Sequence, residues 1–220
     1  MGAWPLKRDE GAEARRAKAP LLDLRFRRLI GREAWDALPE RVRHRFSKRL
    51  GAESVALYRG RVVRTEFSGI GWLFAQILRL IGAPLPICRD TGVPAVVCVS
   101  EDGASGGQLW SRLYGRRRGF PQVIHSAKRF AGPTGLEEYV GRGVGMALRV
   151  EPMPDGLRFV SDHYFIAVGR RRLRLPTWIE PGRTLVEHHD LGHGCFLFSL
   201  MLDHRWFGRL VEQHALFRDA

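Results

Sequence analysis

The chain has 220 residues, of which 45% are hydrophobic and 27% charged, proportions that are ordinary for a globular protein with a sizeable core. Its 36 basic and 23 acidic residues give a net charge of +13, which would suit nucleic acid, an anionic membrane surface or an acidic ligand. Nearly all the basic residues are arginine, however, and a GC-rich genome produces that composition without any binding role.

Residues 1–20 show no hydrophobic period, so we predict a solvated tail or linker. They contain no apolar run of signal-peptide length, so we expect no secretion signal. The three cysteines form no CxxC pair, so we expect neither a disulfide framework nor a zinc knuckle. We therefore predict a cytoplasmic protein. The most apolar segment, GIGWLFAQILRLIGAPLPI, is interrupted by Gln76 and Arg79 and ends at Pro84. We therefore expect no transmembrane segment.

Helical spacing of apolar residues begins at Leu22 and is broken at Gly31 and Pro39. The segment SVALYRGRVVRTEF then predicts one or two short strands. Ser68 is placed to cap a further helix that runs to about Leu80.

Beyond Pro94 the chain alternates between apolar and polar residues, and short loops such as PMPDG favour antiparallel hairpins. The sequence therefore predicts an α+β fold, in which N-terminal helices pack on a curved antiparallel β-sheet or β-barrel of about eight strands. We predict one domain over residues 21–220, with a helical part at 21–90 and a β part at 91–220. GxGxxG and GxxxxGK phosphate loops do not occur.

Four segments of the chain resemble, in the same order, the bacterial domain-of-unknown-function 4166 family. They are FRRLIGREAWDALPERVRHRF, GWLFAQILRLIGAPLP, GQLWSRLYG and VEHHDLGHGCFLFSL. The similarity runs from about Leu24 to Phe217. Members of that family often follow a saccharopine-dehydrogenase-like domain in longer chains, so the resemblance implies an oxidoreductase as a possible partner. These 220 residues hold no such domain, and we expect no redox activity to carry over. The resemblance implies no reaction.

The family's recurring positions include Trp110, Arg112 and Glu187. The chain departs from the family pattern at Gln108, where an acid is usual, and at residues 192–195, where an Asp-Gly turn is usual. The histidines near Glu187 are thus not part of the pattern.

Strand alternation places Gln108, Trp110, Arg112 and Tyr114 on one face, directed either to solvent or to a barrel interior. A buried Arg112 would need a carboxylate or an anionic ligand, because an unpaired buried charge is unfavourable. We expect Glu187 to be that carboxylate, with Glu101 as the alternative.

His163 shares a predicted face with Phe159 and Phe165, as a polar group within an apolar lining. The predicted ligand site thus comprises Trp110, Arg112, Tyr114, His163 and Glu187, around a cavity for a small-molecule or lipid-like ligand. The alternative is a surface Trp–Arg stack beside an ordinary core histidine.

His188 and Asp190 lie on one face of a predicted strand, and His193 follows closely, a pattern typical of a zinc or iron site. His204 or His214 would have to supply a further ligand. The alternative is a hairpin with a histidine-rich tip and no cofactor.

Three functions remain open at this point. We favour a cytoplasmic ligand-binding or accessory module without catalytic activity. The alternatives are a metal-assisted enzyme using His188, Asp190 and His193, and a basic nucleic-acid-binding protein that would grip phosphate with YGRRRGF, Tyr114 to Phe120. Nucleophilic catalysis is not expected, because the GxSxG elbow does not occur.

Overall fold

The computed structural model describes residues 23–51, 54–82, 84–169 and 171–219, so the predicted tail at 1–20 lies outside the described residues. Within these ranges, eleven antiparallel strands form one sheet. The strands are β1 (Ala56–Phe67), β2 (Pro94–Asp102), β3 (Gly107–Tyr114), β4 (Gln122–Arg129), β5 (Glu137–Gly141), β6 (Val144–Met153), β7 (Gly156–Val168), β8 (Arg171–Arg174), β9 (Arg183–Gly192), β10 (Cys195–His204) and β11 (Gly208–Asp219).

Ten of the strands close into a barrel, because β1 pairs with both β2 and β11 while β6 pairs with β7 and β7 with β9. The eleventh strand, β8, pairs with the end of β7 over Phe165–Val168. The expected closed antiparallel sheet is confirmed, and closure leaves few exposed strand edges. The expected number of about eight strands is too low, in part because the five residues of β5 are too few to show alternation.

Four helices lie within the described ranges: α1 (Arg25–Ile30), α2 (Arg32–Asp36), α3 (Glu40–Phe46) and α4 (Gly69–Leu78). The breaks predicted at Gly31 and Pro39 are confirmed, since Gly31 has a φ of 87° between α1 and α2 and Pro39 precedes α3.

The first three helices close one end of the barrel instead of lying on a face of the sheet, which corrects the predicted packing. Phe26 and Phe46 are buried there and pack with barrel residues such as Leu148 and Phe159. The Phe46 and Phe159 ring centroids are 5.8 Å apart. We call this the capped end; the β9–β10 turn and the β6–β7 turn lie on the same side.

Helix α4 lies at the opposite end, which we call the open end. Ser68 caps it as predicted, because its Oγ accepts a hydrogen bond from the Gly71 amide at 3.0 Å. A Cβ at Gly71 would lie 1.9 Å from the Leu210 carbonyl oxygen, so glycine permits the close approach of α4 to β11. The helix ends at Leu78, two residues before the expected Leu80.

Candidate functional site

The inner face of β3 carries the side chains that the sequence singled out. Gln108, Trp110, Arg112 and Tyr114 all point into the barrel and are buried. Leu109, on the outer face of the same strand, is 41% exposed. The barrel interior therefore receives a polar and aromatic strand face, while the aliphatic face of β3 meets solvent.

A cavity of about 300 Å³ lies between these side chains and α4. Its walls are mainly aliphatic and aromatic, and Arg112 and Tyr114 line its inner part. Ile166 and Ile179 also line it and are 39% and 49% exposed, so the cavity reaches solvent beside β7, at the open end. Beneath it, Trp110, His188, Phe196 and Phe198 fill the barrel towards the capped end. This is the size and character of a small-molecule site.

Arg112 belongs to a buried charge cluster with Glu138 and Lys128, and the cluster borders the cavity. Its guanidinium donates to Ser126 Oγ at 3.0 Å and to Glu138 Oε1 at 3.4 Å. Lys128 Nζ lies 2.9 Å from Glu138 Oε2. All three charged residues are at most 9% exposed. Two cations thus share one carboxylate in a region of low dielectric.

The surroundings of Glu138 keep it ionised. Burial by itself would raise the pKa of this carboxyl, but the charges of Lys128 and Arg112, with a hydrogen bond from Ser126, outweigh burial and lower the pKa to about 2. Burial lowers the pKa of Lys128, and the charge of Glu138 opposes that shift. With both cations protonated, the cluster carries a net charge of +1, the difference between two positive groups and one negative group.

Three neutral polar side chains, Tyr164, Thr184 and Gln213, also line the cavity. The Tyr164 hydroxyl and Thr184 Oγ1 are 2.6 Å apart in a hydrogen bond between β7 and β9. Gln213 donates from Nε2 to Thr65 Oγ1 at 3.2 Å, while its buried Oε1 has no partner among the described residues. These neutral side chains line the cavity beside the cationic cluster.

A family model described as Domain of unknown function (DUF4166) matches residues 38–217. The chain belongs to the DUF4166 family. The match covers α3, α4 and all of the strands except the last residues of β11, and so includes the whole cavity. A comparison with curated proteins finds no match.

Two residues of the predicted ligand site lie elsewhere in this DUF4166 domain. The inner residues of β9 are Thr184, Val186 and His188, so Glu187 points outward. There its carboxylate pairs with Arg158 at 2.7 Å and with His189 at 3.3 Å. The expected Arg112–Glu187 pair is therefore wrong, as is the Glu101 alternative.

His163 also lies outside the barrel. A β-bulge between Ala147 and Leu148 shifts the pairing of β6 with β7, so His163 and Phe159 fall on opposite faces. The His163 Nδ1 lies 2.7 Å from an Asp162 carboxylate oxygen. The expectation that His163 lines the cavity is wrong because alternation does not continue through the bulge.

The predicted metal ligands do not converge. His188 points into the barrel, Asp190 lies 3.6 Å from Arg45, and His193 sits in the β9–β10 turn with a φ of 52°. His204 is at the open end, and His214 contacts Ser199. Among the described residues no group of three or more His, Cys, Asp or Glu could hold a metal ion, so the expected zinc or iron site is not assembled.

The ring of His188 is instead part of the aromatic core. Five aromatic rings surround it: those of Phe46, Trp110, Phe159, Phe196 and Phe198. Burial, followed by the nearby cations Arg45, Lys128 and Arg112, lowers its pKa well below 6.5, and its buried Nδ1 has no partner in the described structure. His188 is therefore a neutral packing residue.

Substitution of His188 by phenylalanine tests this role. The folded protein resists protonation of His188, so this group contributes stability above pH 6.5 that is lost as the pH falls below it. We expect the wild type to lose up to about 1.4 kcal/mol of unfolding free energy per pH unit relative to His188→Phe between about pH 6.5 and 5. Urea unfolding at several pH values measures this difference.

His189→Gln is the matched control: partial burial alone would lower the pKa of His189, but the hydrogen bonds that its ring donates to the Asp155 and Glu187 carboxylates outweigh burial and raise it. That substitution should change the pH dependence with the opposite sign. A pH-independent loss of several kcal/mol in His188→Phe would show that the imidazole has a polar role.

Proposed function

We propose that this DUF4166 domain binds a small, lipid-like molecule with one anionic group. Its apolar part would occupy the cavity and its anion would contact Arg112. The observation that carries the proposal is the pairing of an apolar cavity with a buried cluster in which two basic side chains, Arg112 and Lys128, share the single carboxylate of Glu138.

The anion preference follows from the charge cluster. A buried excess positive charge is unfavourable, and a bound carboxylate or phosphate would neutralise it. Hydrogen bonds to Ser126 and Glu138 use only two of the guanidinium N–H donors of Arg112. A planar guanidinium with free donors suits a carboxylate or phosphate in two-point contact.

The preference for an apolar body follows from the walls. Phe198, Leu200 and Leu202 of β10 face the cavity from one side, and Phe74 and Leu78 of α4 face it from the open end. Contact with such walls stabilises a bound chain by roughly 0.8 kcal/mol per methylene group. Trp110 would support the site from below, since its ring lies 5.5 Å from the Arg112 guanidinium and 4.9 Å from Lys128 Nζ.

Binding is a better proposal than catalysis for this cavity. Glu138, with a pKa of about 2, is a weak base at neutral pH. Burial raises the pKa of Tyr114 to about 12, so its hydroxyl also stays protonated. The polar groups therefore suit recognition of charge more than proton transfer.

A pair of probes tests the proposal. We expect the fluorescent fatty acid cis-parinaric acid to bind, and its methyl ester, which has the same chain and no charge, to bind at least roughly tenfold more weakly. Fluorescence titration measures both affinities. Equal affinity for acid and ester, or binding of neither, would contradict the proposal.

The variant Arg112→Gln locates the anion. Lys128 and Glu138 would remain paired at 2.9 Å as one cation and one anion, so no unpaired charge is left in the interior and the variant should fold. We expect it to lose roughly tenfold or more in affinity for the acid and little for the ester. Arg116→Gln, at an exposed position in the β3–β4 loop, is the control and should leave both affinities unchanged.

A further inference from the structure

The open end of the barrel exposes large aromatic side chains from separate segments. Trp72 lies on α4, Trp178 in the β8–β9 connection, and Trp206 with Phe207 in the β10–β11 turn, and each is at least 48% exposed. Strand direction places these segments together, because β10 ends where β9 and β11 begin and α4 starts directly after β1. Both other tryptophans of the described chain, Trp35 and Trp110, are buried.

Helix α4 adds an aliphatic face to this surface. Ile70, Leu73 and Ile77 recur at spacings of three and four residues, so they lie on one side of the helix, and all three are about half exposed. The opposite side of α4, with Gly71 and Ala75, packs on the barrel. Ile179 joins the same surface next to the cavity opening.

Arginines surround these apolar groups. Arg79 follows α4, Arg116 and Arg118 lie in the β3–β4 loop, Arg142 in the β5–β6 turn and Arg205 beside Trp206, and all are exposed. Of the acidic residues at this end, Asp203 is paired with Arg209 and Glu66 with Arg64, and Asp90 accepts a hydrogen bond from the Arg117 amide. The open end therefore combines exposed tryptophans, an aliphatic helix face and an excess of positive charge.

We propose that the open end docks on the surface of an anionic lipid bilayer. Tryptophan and isoleucine side chains would enter the interfacial layer while the arginines contact lipid headgroups. The apolar groups come from several loops, and a fluid interface accommodates them without a matching partner shape. Within the described ranges, no helix is long and apolar enough to cross a membrane.

This inference goes beyond the cavity proposal and does not depend on it. If both hold, the cavity opening beside Ile179 faces the lipid headgroups, and the ligand would pass between bilayer and barrel without crossing water.

Vesicle co-sedimentation tests the docking surface with the full chain. We expect binding to vesicles of equal parts phosphatidylcholine and phosphatidylglycerol, weaker binding to phosphatidylcholine alone, and further weakening at high salt. The double variant Trp178→Ser/Trp206→Ser and the double variant Arg116→Gln/Arg118→Gln should each bind the mixed vesicles roughly tenfold or more weakly. Brominated lipids should quench the tryptophan fluorescence of the wild type more than that of the tryptophan variant.

Matched controls lie at the capped end. Leu191 is an exposed apolar residue near the β9–β10 turn, and Arg28 and Arg49 are exposed cations there. Leu191→Ser and Arg28→Gln/Arg49→Gln should bind vesicles like the wild type. Equal losses in these controls, or no binding of the wild type to mixed vesicles at low salt, would overturn the proposal. Self-association that the tryptophan substitutions abolish, without vesicle binding, would also overturn it and assign the surface to a second copy.

The two proposals fail separately. The tryptophan variant should keep its affinity for cis-parinaric acid, and Arg112→Gln should still bind vesicles. Loss of probe binding with intact vesicle binding would contradict only the cavity proposal, and the reverse result would contradict only the docking surface.

Discussion

Substitution of Glu138 by glutamine is expected to lower the unfolding free energy by about 3 to 5 kcal/mol. In the wild type, Arg112 and Lys128 lie 3.4 and 2.9 Å from the Glu138 carboxylate oxygens, and the neutral amide would leave both cations buried without a negative partner. For a domain of this length the melting temperature should fall by roughly 6 to 20 °C. Thermal unfolding followed by circular dichroism measures the effect.

The pH dependence separates loss of charge from loss of packing. Because the folded pKa of Glu138 is about 2 against an ordinary value of 4.5, its stabilising contribution is present above about pH 4.5 and is lost as the pH falls towards 2. The difference between wild type and Glu138→Gln should therefore shrink over the same range. A difference that stays constant would show that the carboxylate charge is not the source.

Glu151→Gln is the control for this experiment. Glu151 is paired at 3.9 Å with Arg158 on the surface, where both side chains are well exposed. Its loss should change the unfolding free energy by less than about 1 kcal/mol. A similar loss in both variants would contradict the importance of burial in the Glu138 cluster.

The second large effect is expected from Val186→Phe, which should block the cavity. Val186 faces inward from β9 between the cavity and the aromatic core, and a larger side chain there would occupy space that a ligand chain needs. Displacement of about three methylene groups, at roughly 0.8 kcal/mol each, corresponds to roughly a 50-fold loss in affinity. Titration with cis-parinaric acid measures this loss.

Stability should change little in Val186→Phe, within about 1.5 kcal/mol, because the added atoms enter empty space. Val123→Phe makes the same chemical change on the outer face of β4, where Val123 is 41% exposed, and should leave probe affinity intact. Unchanged binding in a folded Val186→Phe variant would place the ligand elsewhere.

The sequence could predict which residues share a face where a single strand carries the information. The β3 alternation placed Trp110, Arg112 and Tyr114 on one face, and hairpin spacing predicted a closed antiparallel sheet. Burial of Arg112 implied a carboxylate partner as well. The identity of that partner depends on the register of β3, β4 and β5, which places Glu138 of β5 two strands away from Arg112.

The errors have two local causes. Neighbouring residues of a strand face opposite sides of the sheet. The prediction chose the wrong face of β9, so it placed Glu187 in the interior where the structure has His188. A bulge reverses the facing of His163 within one strand. Glu138 was missed because its short strand, EEYVG, directs the first glutamate outward and the second, Glu138, inward, without an apolar pattern that would mark the inner face.

The division of β7 between two neighbours affects how the barrel wall can move. Its ladder with β9 ends at the Val160–Leu185 pair, and its far end pairs with β8 instead. Between these regions side chains make the connection, including Tyr164 to Thr184 at 2.6 Å and the Thr184 amide to Ser161 Oγ at 2.9 Å. Separation of the wall along this line would break side-chain hydrogen bonds but no β7–β9 ladder bonds, so it requires less free energy than parting a ladder. This seam lies beside Ile166 and Ile179, and the wall is therefore most easily widened where the cavity already meets solvent.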